Sequence, residues 1–225
     1  MLGQTLSERI LQDNADVWER MQHHRFVTDI EADKLPPEVF HRYLVYENAF
    51  VETAIAIFGH MLVKAPDLAE RRRIVAVLKA LSEEQIAYFQ DTFAALGIAY
   101  EDPATLDLPM PVLAFQQGML AYAAHGSYLD GVTVMFAAEW MYWHWSKRVV
   151  ASPISDPILR RWVALHTEAA FTAQAQWLKE QVDRAGRLLD EAQRRRISRI
   201  FRAALLFEID FHTAAYGADG ADAGS

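Results

Sequence analysis

A helical repeat of apolar residues runs through almost the whole chain, and it restricts the possible folds more than any other feature. In residues 4–23, Leu6, Ile10, Val17 and Met21 recur at spacings that place them on one face of a helix. Gly and Pro, which interrupt helices, account for only 10 and 8 of the 225 residues, and they lie mainly between the periodic segments. We therefore predict an all-α protein.

The breaks between periodic segments predict about seven helices. Pro36 and Pro37 fit the first turn of the second helix, where a missing N–H group is tolerated, and Gly97 lies where the third should end. The predicted helices cover approximately residues 4–23, 37–63, 67–96, 112–124, 129–149, 158–184 and 190–216. Because no internal repeat and no long linker divides the chain, we expect a single-domain bundle over residues 1–217 and a disordered tail over 218–225.

The composition excludes several classes of function. The chain has 22 Lys and Arg against 30 Asp and Glu, for a net charge of −8, so it lacks the basic surface that a direct nucleic-acid binder needs. It has no cysteine, which excludes disulfides, thiolate metal sites and a cysteine nucleophile. No apolar stretch of about 18 residues and no signal-peptide pattern occur, so we expect a cytoplasmic protein without membrane contact.

Three glutamates stand in helical segments that are otherwise apolar and aromatic. These are Glu47, Glu139 and Glu208. An ionised carboxylate is costly to bury without a partner, a proton or a polar cavity. If the three converge, they could supply general acid and base catalysis near neutral pH. Alternatively, each lies at the edge of its apolar stripe and contacts water or an arginine.

An aromatic cluster surrounds the second of these glutamates. Trp140, Tyr142 and Trp143 could form a slot for a flat heteroaromatic ring, although aromatic residues at helical spacing often belong to an ordinary core. We interpret His166 and His212 in the same way, as hydrogen-bonded packing residues rather than metal ligands.

The sequence offers little support for a metal or phosphate site. Helix bundles often hold two iron ions through paired Glu-x-x-His motifs. Residues 38–41 form the one instance, and Glu38 is expected in the first turn of a helix for its interaction with the helix dipole. The chain has no HExxH motif, no phosphate-binding glycine loop and no serine elbow. We expect neither a metal nor a cofactor.

Three segments carry a resemblance to a known family. They are Trp18 with the following MQHHRFVTDIEADKLPPEVFHRYLVYENAFVE, then SYLDGVTVMFAAEWMYW, and finally FRAALLFEIDFHTAAY. In order and spacing they resemble the TenA, or thiaminase II, family over nearly the whole chain. The resemblance implies a heme-oxygenase-like helical bundle, assembled as a homo-oligomer (a tetramer or dimer), with a pocket for a small-molecule pyrimidine related to thiamin.

The resemblance also implies roles for individual residues. Glu208 matches the acid/base glutamate of the family, whereas Glu139 stands where thiaminase II members carry their catalytic cysteine. Glu47 stands in place of an aspartate that binds the pyrimidine, and Phe115 and Ile158 replace two pocket tyrosines. The expected catalytic residues are thus Glu139 and Glu208. The expected substrate-binding residues are Tyr43, Tyr46, Glu47, Phe50, Phe115, Trp140, Tyr142, Trp143, Phe211 and His212.

Without a cysteine, thiamin cleavage by thiolate attack is excluded. Family members with Glu at this position are associated with hydrolysis of an N-formyl aminopyrimidine, so a salvage hydrolase of thiamin-pyrimidine breakdown products is the leading hypothesis. Two alternatives remain open at this point. One is a pyrimidine-binding protein without catalysis, with indirect regulation because the acidic charge disfavours DNA contact. The other is a metal-dependent oxidase on the same scaffold.

Overall fold

A computed structural model describes residues 4–217, and this part of the chain is built from α-helices joined by short turns. The prediction of an all-α protein is confirmed. The expected disordered tail, 218–225, lies outside the described residues. The fold comprises two compact units: one formed by the N-terminal segment up to Leu35 with Val132–Thr213, and a second formed by Pro36–Gly131 with the segment that begins at Ala214.

Residues 4–217 contain eleven α-helices, more than the seven that the sequence predicts. In chain order they are α1 (Leu6–Asp13), α2 (Ala15–Gln22), α3 (Arg25–Glu31), α4 (Pro37–Lys64), α5 (Leu68–Ala80), α6 (Ile86–Leu96), α7 (Met110–His125), α8 (Tyr128–Val149), α9 (Pro157–Leu165), α10 (Ala169–Gly186) and α11 (Glu191–Ala214). A π-helical turn at Leu81–Gln85 joins α5 to α6, and a short 3₁₀ turn lies at Pro103–Thr105.

Several helix ends lie where local sequence chemistry predicts them. Thr5 caps α1 in a reciprocal capping box with Glu8, and Asp67 caps α5 by accepting a hydrogen bond from the backbone N–H of Glu70. The second predicted helix begins at Pro37, as expected. Gly97 ends α6 in the left-handed conformation, with a φ of 68°.

The predicted first helix is wrong as a single element because a buried polar side chain interrupts it. Asn14 leaves the helical conformation, with φ −120° and ψ 25°. Its Nδ2 donates to the carbonyl of Ile10 at 2.8 Å and to the hydroxyl of Ser198 at 2.9 Å. Such a side chain competes with the backbone ladder, so α1 ends and α2 begins at this residue.

Three further differences raise the helix count. The predicted connection before Pro36 contains α3, whose apolar residues Phe26, Val27 and Ile30 are buried. The predicted third helix is divided by the π-helical turn. The predicted sixth helix is divided after α9, because Thr167 and its neighbours turn tightly and Glu168 is extended. At the two breaks, local hydrogen bonds replace the regular helical ladder.

The first unit has a core rich in aromatic residues. Its largest fully buried side chains are Phe26, Phe136, Trp145, Trp162, Phe201 and Phe211. α1 and α10 approach closely, since a Cβ atom added to Gly186 would lie 2.4 Å from the Cβ of Leu6. Burying aromatic side chains contributes strongly to stability, so this core holds α8 and α11 firmly in place.

The second unit is organised around α4, which packs against α7 and α5. Fully buried residues of its core include Tyr43, Phe58, Phe89 and Phe93. The ammonium group of Lys64 donates to the carbonyls of Ala123, Ala124 and Gly126 at 2.6, 2.8 and 2.8 Å. This cation thus satisfies carbonyl groups at the carboxyl end of α7 that the helix leaves without partners. Among the described helices, none has the length and apolar character needed to cross a membrane.

Candidate active site

Glu208 is the most deeply buried of the three predicted carboxylates. It lies on α11 in the first unit with only 1% of its surface exposed. The apolar stripe of this helix, which includes Leu205, Ile209 and Phe211, is buried around it. A carboxyl group in such a position must be held by specific polar contacts.

His212, one helical turn further along α11, lies beside both the backbone carbonyl and the carboxyl group of Glu208. Its Nδ1 lies 2.7 Å from the backbone carbonyl oxygen of Glu208 and 3.7 Å from the carboxyl Oε2 of the same residue. Since a carbonyl oxygen only accepts hydrogen bonds, Nδ1 carries the imidazole proton and Nε2 is an acceptor. The hydroxyl of Tyr142 lies 3.2 Å from Nε2 and donates to it. The structure therefore joins Tyr142 on α8 to His212 and Glu208 on α11.

Two further histidines extend this network within the first unit. The ring of His166 stacks on Tyr142, with centroids 5.0 Å apart and an interplanar angle of 20°, and its Nδ1 lies 2.9 Å from the carbonyl of Trp162. His24 accepts a hydrogen bond from the backbone N–H of Phe26 and contacts the hydroxyl of Thr213 at 3.0 Å. These partners fix the proton positions on the rings.

The histidines of this network are neutral at physiological pH. Burial, with the nearby His24 as a second cause, lowers the pKa of His212 to about 3. Burial also lowers the pKa of His166 to about 4 and that of His24 to about 4. Neutral rings can accept as well as donate hydrogen bonds, so they can orient neighbouring groups without adding charge.

Glu139 lies on α8 and is half-buried, unlike Glu208. The next residue, Trp140, is 7% exposed, and its ring centroid lies 4.7 Å from that of Trp143. The indole N–H of Trp143 donates to the hydroxyl of Thr172 at 3.1 Å. In contrast, the indole N–H of Trp140 is buried with no hydrogen-bond partner in the described part of the chain. Such a donor is costly to leave unpaired and is suited to a ligand acceptor.

The remaining predicted residues lie in the second unit, on α4 and α7. Tyr43 is fully buried, whereas Tyr46 and Glu47 are half-buried. Burial raises the pKa of the Tyr46 phenol above its ordinary value, and the nearby Arg42 opposes this shift. The rings of Phe50 and Phe115 pack together with centroids 4.5 Å apart. Phe50 and Phe115 thus form a shared apolar contact within this unit.

Sequence reasoning missed part of the network of the first unit. The sequence assigned no role to His24 or Thr213, whose contact joins the N-terminal part of the chain to α11. His166 was recognised only as a packing residue, which its buried contact with the carbonyl of Trp162 bears out. Across residues 4–217, no three His, Cys, Asp or Glu side chains are grouped in a way that could hold a metal ion.

Comparison with known proteins identifies the family. Residues 11–218 match the TENA/THI-4/PQQC family. This protein belongs to that family. Among curated proteins, the TenA-family chain is similar to an aminopyrimidine aminohydrolase of Bacillus subtilis strain 168, with 20% identity over 217 residues, 95% of this chain and 91% of the relative.

Solved TenA structures share the fold. A TenA homologue of P. horikoshii OT3 matches with a TM-score of 0.85 and 18% identity, over 95% of this chain and 99% of that protein. A protein described as a TenA family transcription regulator, from Silicibacter sp. TM1040, matches with a TM-score of 0.86 and 20% identity, over 94% and 96%. The prediction of a TenA-like helical fold is confirmed.

Proposed function

We propose that this TenA-family protein is a hydrolase of thiamin-pyrimidine salvage, acting on an aminomethyl-pyrimidine or its N-formyl derivative. Family membership and the name of the Bacillus subtilis relative support a hydrolase of aminopyrimidines. Because the chain has no cysteine, a thiolate cannot be the nucleophile, and we assign the chemistry to the carboxylates Glu139 and Glu208. The observation that carries the proposal is that Glu208, with 1% of its surface exposed, lies beside the neutral imidazole of His212.

The two carboxylates of the first unit would take different roles. Half-buried Glu139 would act as the general base that removes a proton from water. The water oxygen would attack the methylene carbon that bears the amino group, or the formamide carbon of the N-formyl derivative. The C–N bond would break as Glu208 donates its proton to the departing nitrogen, releasing ammonia or, from the formamide, formate and the free amine. General acid and base catalysis of this kind contributes about 10² to 10⁴ in rate.

Aromatic side chains of the first unit would bind the flat ring of the substrate. Trp140 would donate its buried indole N–H to a ring nitrogen, which would satisfy a donor that has no partner in the described residues. Trp143 packs against Trp140 and is held by Thr172, so it would keep that indole in place. The roles of Tyr43, Tyr46, Glu47, Phe50 and Phe115 in substrate binding remain predictions from the family resemblance.

Turnover by the purified protein tests the proposal directly. The protein would be incubated with thiamin, the aminomethyl-pyrimidine, its N-formyl derivative and the hydroxymethyl-pyrimidine, with ammonia and formate measured. We expect release from the aminomethyl or N-formyl compound and none from thiamin. Glu139→Gln and Glu208→Gln should each lower kcat by about 10² or more while the ligand still raises the melting temperature.

The matched control is Glu180→Gln, because Glu180 is an exposed carboxylate on α10 of the same unit. This variant should keep wild-type kcat. Full activity in Glu139→Gln would contradict the role of that residue. A rise in melting temperature with all the pyrimidines and turnover of none would support instead a pyrimidine-binding protein without catalysis.

A further inference from the structure

We propose that Tyr142 and His212 are positioning residues that hold the carboxyl group of Glu208 for proton transfer, an inference that rests on the function proposed above. The family resemblance suggests that both residues bind substrate directly. Their contacts assign them a different task, because the hydroxyl of Tyr142 is directed at His212, and the proton of His212 is directed at the backbone carbonyl of Glu208, 3.7 Å from its carboxyl Oε2.

The first step concerns the orientation of His212. The backbone carbonyl oxygen of Glu208 accepts the regular helical hydrogen bond. It also accepts one from the Nδ1–H of His212, at an N···O distance of 2.7 Å. The same N–H lies 3.7 Å from the carboxyl Oε2 of Glu208. The positive end of the imidazole dipole therefore faces the carboxyl group of Glu208. This interaction favours one orientation of the two carboxyl oxygens.

The second step concerns the tautomer. If the proton moved to Nε2, the lone pair of Nδ1 would face both the carbonyl and the carboxyl oxygen of Glu208, and that arrangement is repulsive. The hydroxyl of Tyr142 opposes this change, because it donates to Nε2 at 3.2 Å and stabilises the tautomer that keeps Nε2 unprotonated. Tyr142 thus acts on Glu208 through the ring of His212.

The third step concerns the rigidity of the pair. His166 stacks on Tyr142, and the edge of Phe26 contacts His212 with centroids 5.2 Å apart. The ring of His24 lies 5.8 Å from that of His212. Because their lowered pKa values keep His24 and His166 neutral, these rings pack near Tyr142 and His212 without adding charge. A rigid support of this kind keeps a catalytic group in its reactive geometry.

Tyr142→Phe is the primary test, since it removes one oxygen atom and preserves the ring stack. We expect kcat for the pyrimidine substrate to fall by about 10- to 100-fold, part of the general-acid contribution, with KM changed less than about threefold. His212→Asn, which keeps an N–H donor near the position of Nδ1, should retain at least about tenfold more activity than His212→Leu. Wild-type kcat in Tyr142→Phe, or equal activity of the two His212 variants, would overturn the proposal.

The matched control is Tyr100→Phe, which likewise removes one phenolic oxygen, from a side chain of the second unit that is 44% exposed. It should leave kcat within about twofold of wild type, because Tyr100 has no part in the path from Tyr142 to Glu208. A loss as large as that in Tyr142→Phe would overturn the specific role of Tyr142.

A spectroscopic measurement separates this inference from the proposed function. The ¹⁵N chemical shifts of His212, recorded without substrate, report which ring nitrogen carries the proton. We expect the Nδ1–H tautomer in the wild type and a mixture of both tautomers in Tyr142→Phe. If the wild type hydrolyses neither pyrimidine, the proposed function fails. A tautomer change in the variant would still support the role of Tyr142 in fixing the tautomer of His212. An unchanged Nδ1–H tautomer in Tyr142→Phe would overturn it.

Discussion

The hydroxyl of Tyr142 lies 3.2 Å from Nε2 of His212, and this contact links helix α8 to helix α11 within the first unit. Because the other ring nitrogen of His212 lies 2.7 Å from the carbonyl of Glu208, the two contacts together define the position of the imidazole proton. Hydrogen bonds that depend on a neutral histidine therefore hold Tyr142 and His212 beside the buried carboxyl group of Glu208.

The free energy of unfolding should fall as the pH is lowered below 6.5, because buried neutral histidines resist protonation in the folded state. His166 and His212 have pKa values of about 4 and about 3 in the folded state, below the ordinary value of 6.5. Between pH 6.5 and about 4 the unfolded chain therefore binds more protons, and the free energy of unfolding falls as the pH falls. Each ring should contribute up to about 1.4 kcal/mol per pH unit.

Urea denaturation at pH 7.5, 6.5, 5.5 and 4.5 measures this loss. His23→Gln is the control variant, because its imidazole side chain is 61% exposed and lies outside the buried network. A free energy of unfolding that is constant from pH 6.5 to 4.5 would show that the buried rings are not held neutral.

Removing the ammonium group of Lys64 should destabilise the second unit. Lys64→Met keeps most of the aliphatic side chain and deletes the donor to three carbonyl groups at the end of α7. Unsatisfied polar groups cost about 1–3 kcal/mol, and we expect a loss of that size in chemical denaturation. Lys79→Met should cost less than about 0.5 kcal/mol, since Lys79 makes an exposed pair with Glu83. Equal losses would contradict the capping role of Lys64.

Close packing of α1 against α10 requires glycine at position 186. In Gly186→Ala the new Cβ would lie 2.4 Å from the Cβ of Leu6, and overpacking of this kind costs about 1–3 kcal/mol. Gly59→Ala is the control, because nothing lies within 4 Å of its Cβ position, and it should stabilise α4 by about 0.5–1 kcal/mol. Thermal unfolding of both variants gives the comparison, and a stable Gly186→Ala protein would contradict the predicted clash.

Two tryptophans of α8 should respond differently to replacement by phenylalanine. The indole N–H of Trp140 has no partner in the described residues, so Trp140→Phe should weaken pyrimidine binding by about tenfold and lower the melting temperature of the ligand-free protein only through lost packing. Trp143→Phe breaks the hydrogen bond to Thr172 and should lower the melting temperature. Calorimetry with and without the pyrimidine measures both effects. Unchanged pyrimidine affinity in Trp140→Phe would show that this N–H does not bind the pyrimidine.

Local sequence chemistry was sufficient to predict most of the helices and many of their ends. The apolar repeat identified the helical class, Pro37 marked the start of α4 and Gly97 the end of α6. These features depend on backbone geometry and on neighbouring residues, so they can be predicted from the sequence. The three motifs with the TenA resemblance likewise led to the family that the comparisons establish.

The breaks within the helices required the tertiary structure. Asn14 ends α1 because its side chain reaches Ser198, 184 residues later in the chain. The apolar repeat passes through such a break unchanged, so periodicity alone predicts one helix where there are two. The physical reason is that a buried polar side chain selects its backbone conformation according to partners brought together only by folding.

For the candidate site, too, some features follow from the sequence and others only from the tertiary structure. By itself the sequence determined that the protein is helical, lacks a cysteine nucleophile and carries Glu139 and Glu208 in aromatic segments, since these properties belong to residue types and their spacing. Only the tertiary structure decided that Glu208 is almost fully buried, that the Nδ1–H of His212 binds its backbone carbonyl beside the carboxyl group, and that Tyr142 supports His212 from another helix. Burial and hydrogen-bond direction depend on the packing of distant segments, and that packing determines the charge and proton position of each group.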